Sequence, residues 1–220
     1  MKIGIIGSGS VGGTLGKAWS RLGHEVFFGF KNPDAPQAKI LLGEAAASAK
    51  AGSVQAAVKA SDVIVVATPW EVTQEALSSA GDLSGKILID ATNPLLPGLT
   101  GLSIGTTTSA GEKVAEWAKG ARVVKAFNTV GFNVMADSSF PGGQAALFYC
   151  GDDPEAKKVA ATLASDLGFE ALDAGPITQC RMLEPFAMLW ISLAVKYGYG
   201  RDIGFKFMRR GATGGEGQSR

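Results

Sequence analysis

The sequence holds one histidine, His24, and two cysteines, Cys150 and Cys180. Each scarcity excludes something. His24 falls in the turn between a helix pattern and a strand pattern, where it reads as a turn residue. No histidine base is therefore available to act on a substrate hydroxyl. No His/Cys/carboxylate cluster has metal-ligand spacing, so no metal site is expected. Two cysteines without paired spacing predict buried thiols in a reducing cytoplasm and not a disulfide framework. Charge is sparse and balanced, at 19% of residues with a formal net charge of +1. That leaves no electrostatic case for nucleic acid or membrane binding. No apolar run reaches the ~18 residues of a membrane span, and the chain opens directly into a strand pattern, which predicts no secretory leader. With 46% hydrophobic residues in 220, the chain can bury one large core, or one domain plus a small appendage.

Glycine, by contrast, is plentiful, with 30 residues, and its placement carries the first positive reading. Residues 2–6 form a short apolar run of the kind seen in a strand buried on both faces. Gly7-Ser8-Gly9-Ser10-Val11-Gly12 follows at once, then a helix pattern over 13–22 and a second strand over 25–30. This is the strand, glycine loop, helix, strand order of a dinucleotide-binding βαβ unit. Gly7 permits the tight turn, Gly9 leaves room for a pyrophosphate, and Gly12 lets helix and strand approach. The helix N-terminus then faces the phosphates.

The end of the second strand selects the dinucleotide. NAD readers usually place a carboxylate there to bind the ribose 2′-OH. Here Lys31 stands in that place and the first carboxylate is Asp34, so NADP is favoured. In open α/β sheets, ligands sit beyond the carboxyl ends of strands. Thr68-Pro69-Trp70 follows the strand at 62–67, with Trp70 expected to cover the dinucleotide. Asn93 follows the strand at 86–90 and is expected to reach the nicotinamide or its ribose. Asn128 and Thr129 follow the strand at 122–126 and offer polar contacts to a planar ring.

Between these strands the patterning predicts helices over 35–50, 53–59, 71–80 and 109–119, with a candidate lid over 97–108. Strands are expected at 145–150 and 169–173, around a helix at 154–167, and a long apolar helix at 177–197. The fold class is α/β: a Rossmann-type, doubly wound, mainly parallel sheet with a small helical C-terminal extension. The expected organisation is an NADP-binding domain over 1–176, an extension over 177–210 that also meets a dimer partner, and a disordered tail over 211–220.

The order of motifs is specific. Besides 7–12, it includes Gly-Phe-Lys-Asn-Pro (29–33), Ala-Thr-Asn-Pro-Leu (91–95), Val-Lys-Ala-Phe-Asn-Thr-Val (124–130), Gly-Asp-Asp-Pro-Glu-Ala-Lys-Lys (151–158), Asp-Ala-Gly-Pro (173–176), Leu-Glu-Pro (183–185) and Leu-Trp-Ile (189–191). The chain resembles the NADP oxidoreductases dependent on coenzyme F420, a deazaflavin, and is similar to the cytoplasmic domain of six-transmembrane metalloreductases. The resemblance implies hydride transfer between NADPH and a second, flavin-like ring. It implies pyrophosphate at 7–12, the 2′-phosphate at Lys31, and the nicotinamide and acceptor at 126–130, including Ala126. It also implies a homodimer built through the C-terminal helices. Phe30-Lys31 stands where members typically carry Ser-Arg, and Asn128 where they often carry histidine.

The functional expectation is an NADPH-dependent oxidoreductase acting on a small-molecule redox acceptor, with coenzyme F420 or FMN/FAD as second substrate. Such chemistry needs no catalytic acid or base, only stacked rings and excluded water. The alternatives are an NADP-binding sensor without turnover, or a reductase of a small imine or keto substrate.

Overall fold

A computed structural model describes residues 1–210, so the tail expected at 211–220 lies outside the described residues. Strand and helix alternate from the first residues: β1 (Lys2–Ile6), α1 (Ser10–Arg21), β2 (Glu25–Phe30), α2 (Pro36–Glu44), β3 (Lys50–Ser53), α3 (Val54–Ala60), β4 (Val63–Val66) and α4 (Trp70–Ser78). They continue as β5 (Ile87–Asp90), α5 (Ala110–Trp117), β6 (Arg122–Lys125), α6 (Phe132–Ala136), β7 (Ala146–Gly151), α7 (Pro154–Asp166), β8 (Glu170–Asp173) and α8 (Cys180–Ile191). These strands form one 8-stranded sheet in the order β3-β2-β1-β4-β5-β6-β7-β8. Neighbours are parallel except β6 and β7, which run antiparallel.

The central strands read as unbroken apolar runs because both sheet faces are covered. Ile3, Ile5, Val65 and Ile89 face Leu15 and Trp19 of α1 and Leu163 of α7. Ile6, Ile64, Val66 and Leu88 point to the other face, against Val58, Leu77 and Val114. Trp19 is fully buried, its Nε1 donates to the Leu163 carbonyl at 3.1 Å, and its ring meets Phe127 edge-on at 5.4 Å. Truncating such a side chain to alanine costs about 3–5 kcal/mol. From β1 the chain winds out to β3 and then returns to β4, on β1's other side. The strand order thus reverses between β1 and β4, and a crevice opens at their carboxyl ends.

Three expectations need correction. The helix expected over 35–50 ends at Glu44, and Lys50–Ser53 pairs with β2 as an edge strand, Phe28 opposite Ala51. Lys50, Ala51, Gly52 and Ser53 carry no strand pattern of their own, and the open edge of β2 recruits them through backbone hydrogen bonds. The expected helix at 177–197 is instead a 3₁₀ turn (Ile177–Gln179), α8 and a π-helical turn (Ser192–Lys196). Pro185 lies inside α8 and cannot donate to the Arg181 carbonyl. Helix α1 starts at Ser10, so Ser10, Val11 and Gly12 form its first turn and not a preceding loop.

The C-terminal extension is knitted into the sheet domain. Cys180 and Leu183 of α8 pack on Cys150 of β7. The Trp190 indole donates to the Ile203 carbonyl at 2.9 Å, and the Phe205 carbonyl accepts from the Ala146 N–H at 2.8 Å. These two bonds hold residues 201–205 as a strap across the carboxyl-end region of the sheet.

Candidate functional site

At the end of β1, Gly7 adopts φ +97, and a Cβ there would sit 2.6 Å from the Ala67 carbonyl carbon. A Cβ at Gly12 would overlap the Gly7 carbonyl oxygen. Both positions are closed to side chains by backbone. Gly9 differs, because a Cβ there would meet nothing within 4 Å. Gly9 therefore leaves open the space in front of the α1 N-terminus, where unpaired N–H groups and the positive dipole end favour an anion. The loop fits a dinucleotide pyrophosphate on these grounds.

A cleft of about 410 Å³ opens beside the loop, between β2 and α4. Gly7, Ser8, Phe30, Lys31 and Thr68 line one part of it, and Val72, Glu75 and Ala76 of α4 form the far wall. Thr73 donates to the Pro69 carbonyl at 3.0 Å, so the 2.8 Å bond between the Thr68 and Thr73 hydroxyls has Thr68 as donor. The Thr68 oxygen can then accept from a ligand. Pro69 caps α4. Lys31, expected at the 2′-phosphate, reaches across the cleft mouth to Glu75 at 2.9 Å, with side-chain exposures of 91% and 68%. The hydrogen bond and charge of each partner raise the Lys31 pKa and lower that of Glu75. Glu75 carried no sequence signal, because it sits on another helix 44 residues away.

Trp70 does not join this lining. Its ring stacks on Trp117 at 5.2 Å and 26°, and it packs on the core beneath α4 and α5. The apolar partner on α5 outcompetes an open cleft for that ring.

A second cavity, of about 210 Å³, lies beyond the carboxyl ends of β5 and β6. Val11 of the glycine segment forms part of its wall, together with Asn93, Leu95, Leu99, Phe127, Asn128, Phe132, Trp190 and Arg201. Asn93 Nδ2 donates to the Asn128 carbonyl at 2.9 Å, and Asn128 Nδ2 donates to Asn93 Oδ1 at 3.1 Å and to the Leu183 carbonyl at 3.3 Å. Asn128 Oδ1 is buried and has no donor among the described residues. Phe127 holds φ +66, a left-handed conformation for a bulky residue, and Leu99 holds φ 57. Strain of this kind concentrates where surrounding structure imposes a ligand geometry. Thr129 and Ala126 are buried behind this wall, Ala126 wholly in the core, and neither lines the cavity. The expected lid contributes Leu99, and Leu95 lies just before it.

Beneath both asparagines lies a dry charged node. Lys125 Nζ, at the end of β6, meets Asp90 Oδ2 of β5 at 2.9 Å and Glu184 Oε1 of α8 at 3.1 Å, with side-chain exposures of 0–1%. The Glu184 oxygens also accept from the Ala110 and Gly111 N–H groups at 2.9 Å, closing the α5 N-terminus. Asp90 Oδ1 accepts from the Thr92 N–H at 2.9 Å, one residue before Asn93. Burial pulls the Lys125 pKa down, but the charges of Asp90 and Glu184 more than reverse it and hold the ammonium protonated. Cys150 and Cys180 lie nearby as free, buried thiols with sulfurs 3.4 Å apart. The Cys150 contact and burial push the Cys180 thiol above its ordinary range, which makes it a poor nucleophile.

The chain is similar to several known proteins. A family described as NADP oxidoreductase, coenzyme F420-dependent, matches residues 2–94. An F420-dependent NADP reductase from Methanocaldococcus jannaschii is 33% identical over 147 residues, covering 64% of this chain and 66% of that protein. The rat metalloreductase STEAP3 is 31% identical over 183 residues, covering 83% of this chain and 36% of that one. The chain thus spans under two thirds of the length of either relative. A solved structure from Arthrobacter sp. FB24, assigned as an F420-dependent NADP reductase, superposes with a TM-score of 0.85 at 32% identity, covering 95% of this chain and 100% of that one. Identity at that level over the full length of a solved relative is a family relationship, and the chain belongs to the coenzyme F420-dependent NADP oxidoreductases.

Proposed function

We propose that this protein transfers hydride between NADP(H) and a deazaflavin of the coenzyme F420 class. One observation carries the reading: Val11 belongs both to the glycine segment and to the wall of the second cavity. A dinucleotide whose pyrophosphate lies over Gly9 would therefore send its adenosine half toward Lys31 and its nicotinamide toward Asn93 and Asn128. NADPH would supply the hydride and the deazaflavin ring would take it. The protein's share is positional. Gly7, Ser8, Gly9, Ser10 and the α1 N-terminus hold phosphate, Lys31 meets the 2′-phosphate after releasing Glu75, and Thr68 accepts from a ribose or amide donor. Asn128 Oδ1 accepts an N–H from a ring or carboxamide. Val11, Leu95, Phe127, Phe132 and Trp190 exclude water, so the rings can close to the ~3–3.5 Å that transfer requires. The lining holds no histidine or carboxylate, which suits a reaction whose reactivity resides in the two rings.

Exposed apolar residues on and after α8, Met182, Leu189 and Val195, favour a second copy of the chain as partner. The unbridged thiols suit a reducing compartment such as the cytoplasm. The test is loss of NADPH absorbance with coenzyme F420, FMN, FAD and riboflavin offered separately, and NADH as control donor. Turnover with the deazaflavin is expected. Turnover with flavins alone would move the protein to flavin reduction, and tight NADPH binding without turnover would make it a nucleotide sensor.

A further inference from the structure

The second cavity has apolar walls, two amides and one charged side chain, Arg201. No other part of the site explains that cation. Arg201 lies on the strap after α8, and the strap is held by defined contacts. A Cβ at Gly131 would lie 2.5 Å from the Trp190 ring, so glycine there is what allows that indole to seat. The seated indole fixes the Ile203 carbonyl, and the Phe205 carbonyl is bound by Ala146. The Arg201 guanidinium stacks over the Phe132 ring at 5.5 Å, and among the described residues no carboxylate forms an ion pair with it. Asn128, which lines the same cavity, has a buried Oδ1 without a donor among the described residues.

We infer that Arg201 is the anion-binding residue of this cavity and that it receives the acceptor ring in its reduced, negatively charged form. The inference rests on the hydride-transfer reading above. Hydride transfer moves two electrons and one proton. A C–H bond of the dihydronicotinamide breaks, a bond to hydrogen forms on the acceptor, the nicotinamide is left positive and the acceptor ring negative. A guanidinium opposes the first charge and attracts the second, so its end of the cavity takes the acceptor and not the nicotinamide. Asn128 Oδ1 supplies the complementary acceptor for a ring N–H. The chemistry matched is a planar ring with an N–H donor and an anionic reduced state, which deazaflavins and flavins share.

The test compares wild type with Arg201→Met, which keeps an unbranched stem over Phe132 but removes the charge, and with Arg201→Lys. Arg201 is exposed, and retained NADPH binding reports an intact fold in each variant. Under anaerobic conditions, binding of oxidised and reduced coenzyme F420, and of oxidised and reduced FMN, is titrated by ring fluorescence and absorbance. Arg201→Met is expected to weaken the reduced ring by about tenfold more than the oxidised one, with NADPH affinity unchanged and Arg201→Lys recovering most of the loss. Equal loss for both redox states, or no loss, overturns the assignment of Arg201 while leaving the hydride-transfer reading intact. Wild-type protein that binds neither ring in either state overturns that reading and this inference with it. Preference for the deazaflavin or the flavin identifies which of the two the cavity takes.

Discussion

Two lysines in this protein meet a carboxylate at the same 2.9 Å, Lys125 with Asp90 and Lys31 with Glu75. Their environments are opposite. Lys125 is wholly buried, shared between two carboxylates, and joined through them to the α5 N-terminus and to the segment carrying Asn93. Lys31 is 91% exposed at the mouth of an open cleft. In water a pair exchanges one set of partners for another at little net gain, whereas in a dry interior neither ion has an alternative. Distance alone therefore says nothing about role. The buried lysine braces the segments that carry Asn93 and Asn128 at the second cavity, and the exposed one is free to change partners.

The largest effect is expected from Lys125→Met. It strands Asp90 and Glu184 without a counter-charge and should cost about 3–5 kcal/mol in denaturant unfolding. A loss under about 1 kcal/mol would erase the contrast with Lys31. The sign with pH follows from the raised folded-state pKa. The node's contribution is fully present below the ordinary lysine value of ~10.4 and is lost only as pH rises through the higher folded value. The contribution of the node to wild-type stability should therefore hold through neutral pH and shrink only in strong alkali.

Gly9→Val comes next and separates folding from binding. The site is open, so unfolding should be close to wild type while dinucleotide affinity falls by roughly a hundredfold or more. Retained NADPH affinity would mean that the loop holds no phosphate. Lys31→Ala should leave stability unchanged and weaken NADPH by about tenfold with little effect on NADH. Equal losses for the two would remove Lys31 from the 2′-phosphate. Smallest of all, Glu75→Gln should tighten NADPH by less than about tenfold by freeing Lys31. Weaker binding in that variant would mean that Glu75 orients Lys31 and does not compete for it.

The readable parts of the sequence were those whose physics is local. The run at 2–6, the glycines at 7, 9 and 12 and the step into β2 obey constraints that act within a few residues, and each is found in the structure. Strand ends bearing Asn93 and Asn128 were legible as crevice residues because parallel strands direct their carboxyl ends to one edge. Trp70 was misread because its partner, Trp117, lies on a different helix. β3 was missed because its pairing comes from the exposed edge of β2.

The sequence by itself determined a doubly wound sheet and a glycine loop closed to side chains at two of its positions, and its motif order carried the resemblance to a family. Backbone sterics and hydrophobic period fix the sheet and the loop without reference to distant residues. Only the tertiary structure decided that residues 90, 125 and 184 form one charged node, that Glu75 pairs with Lys31, and that a strap after α8 brings Arg201 to the second cavity. Those groups lie on different elements, and burial, which decides what a charge does, is a property of the packed molecule and not of any segment of it.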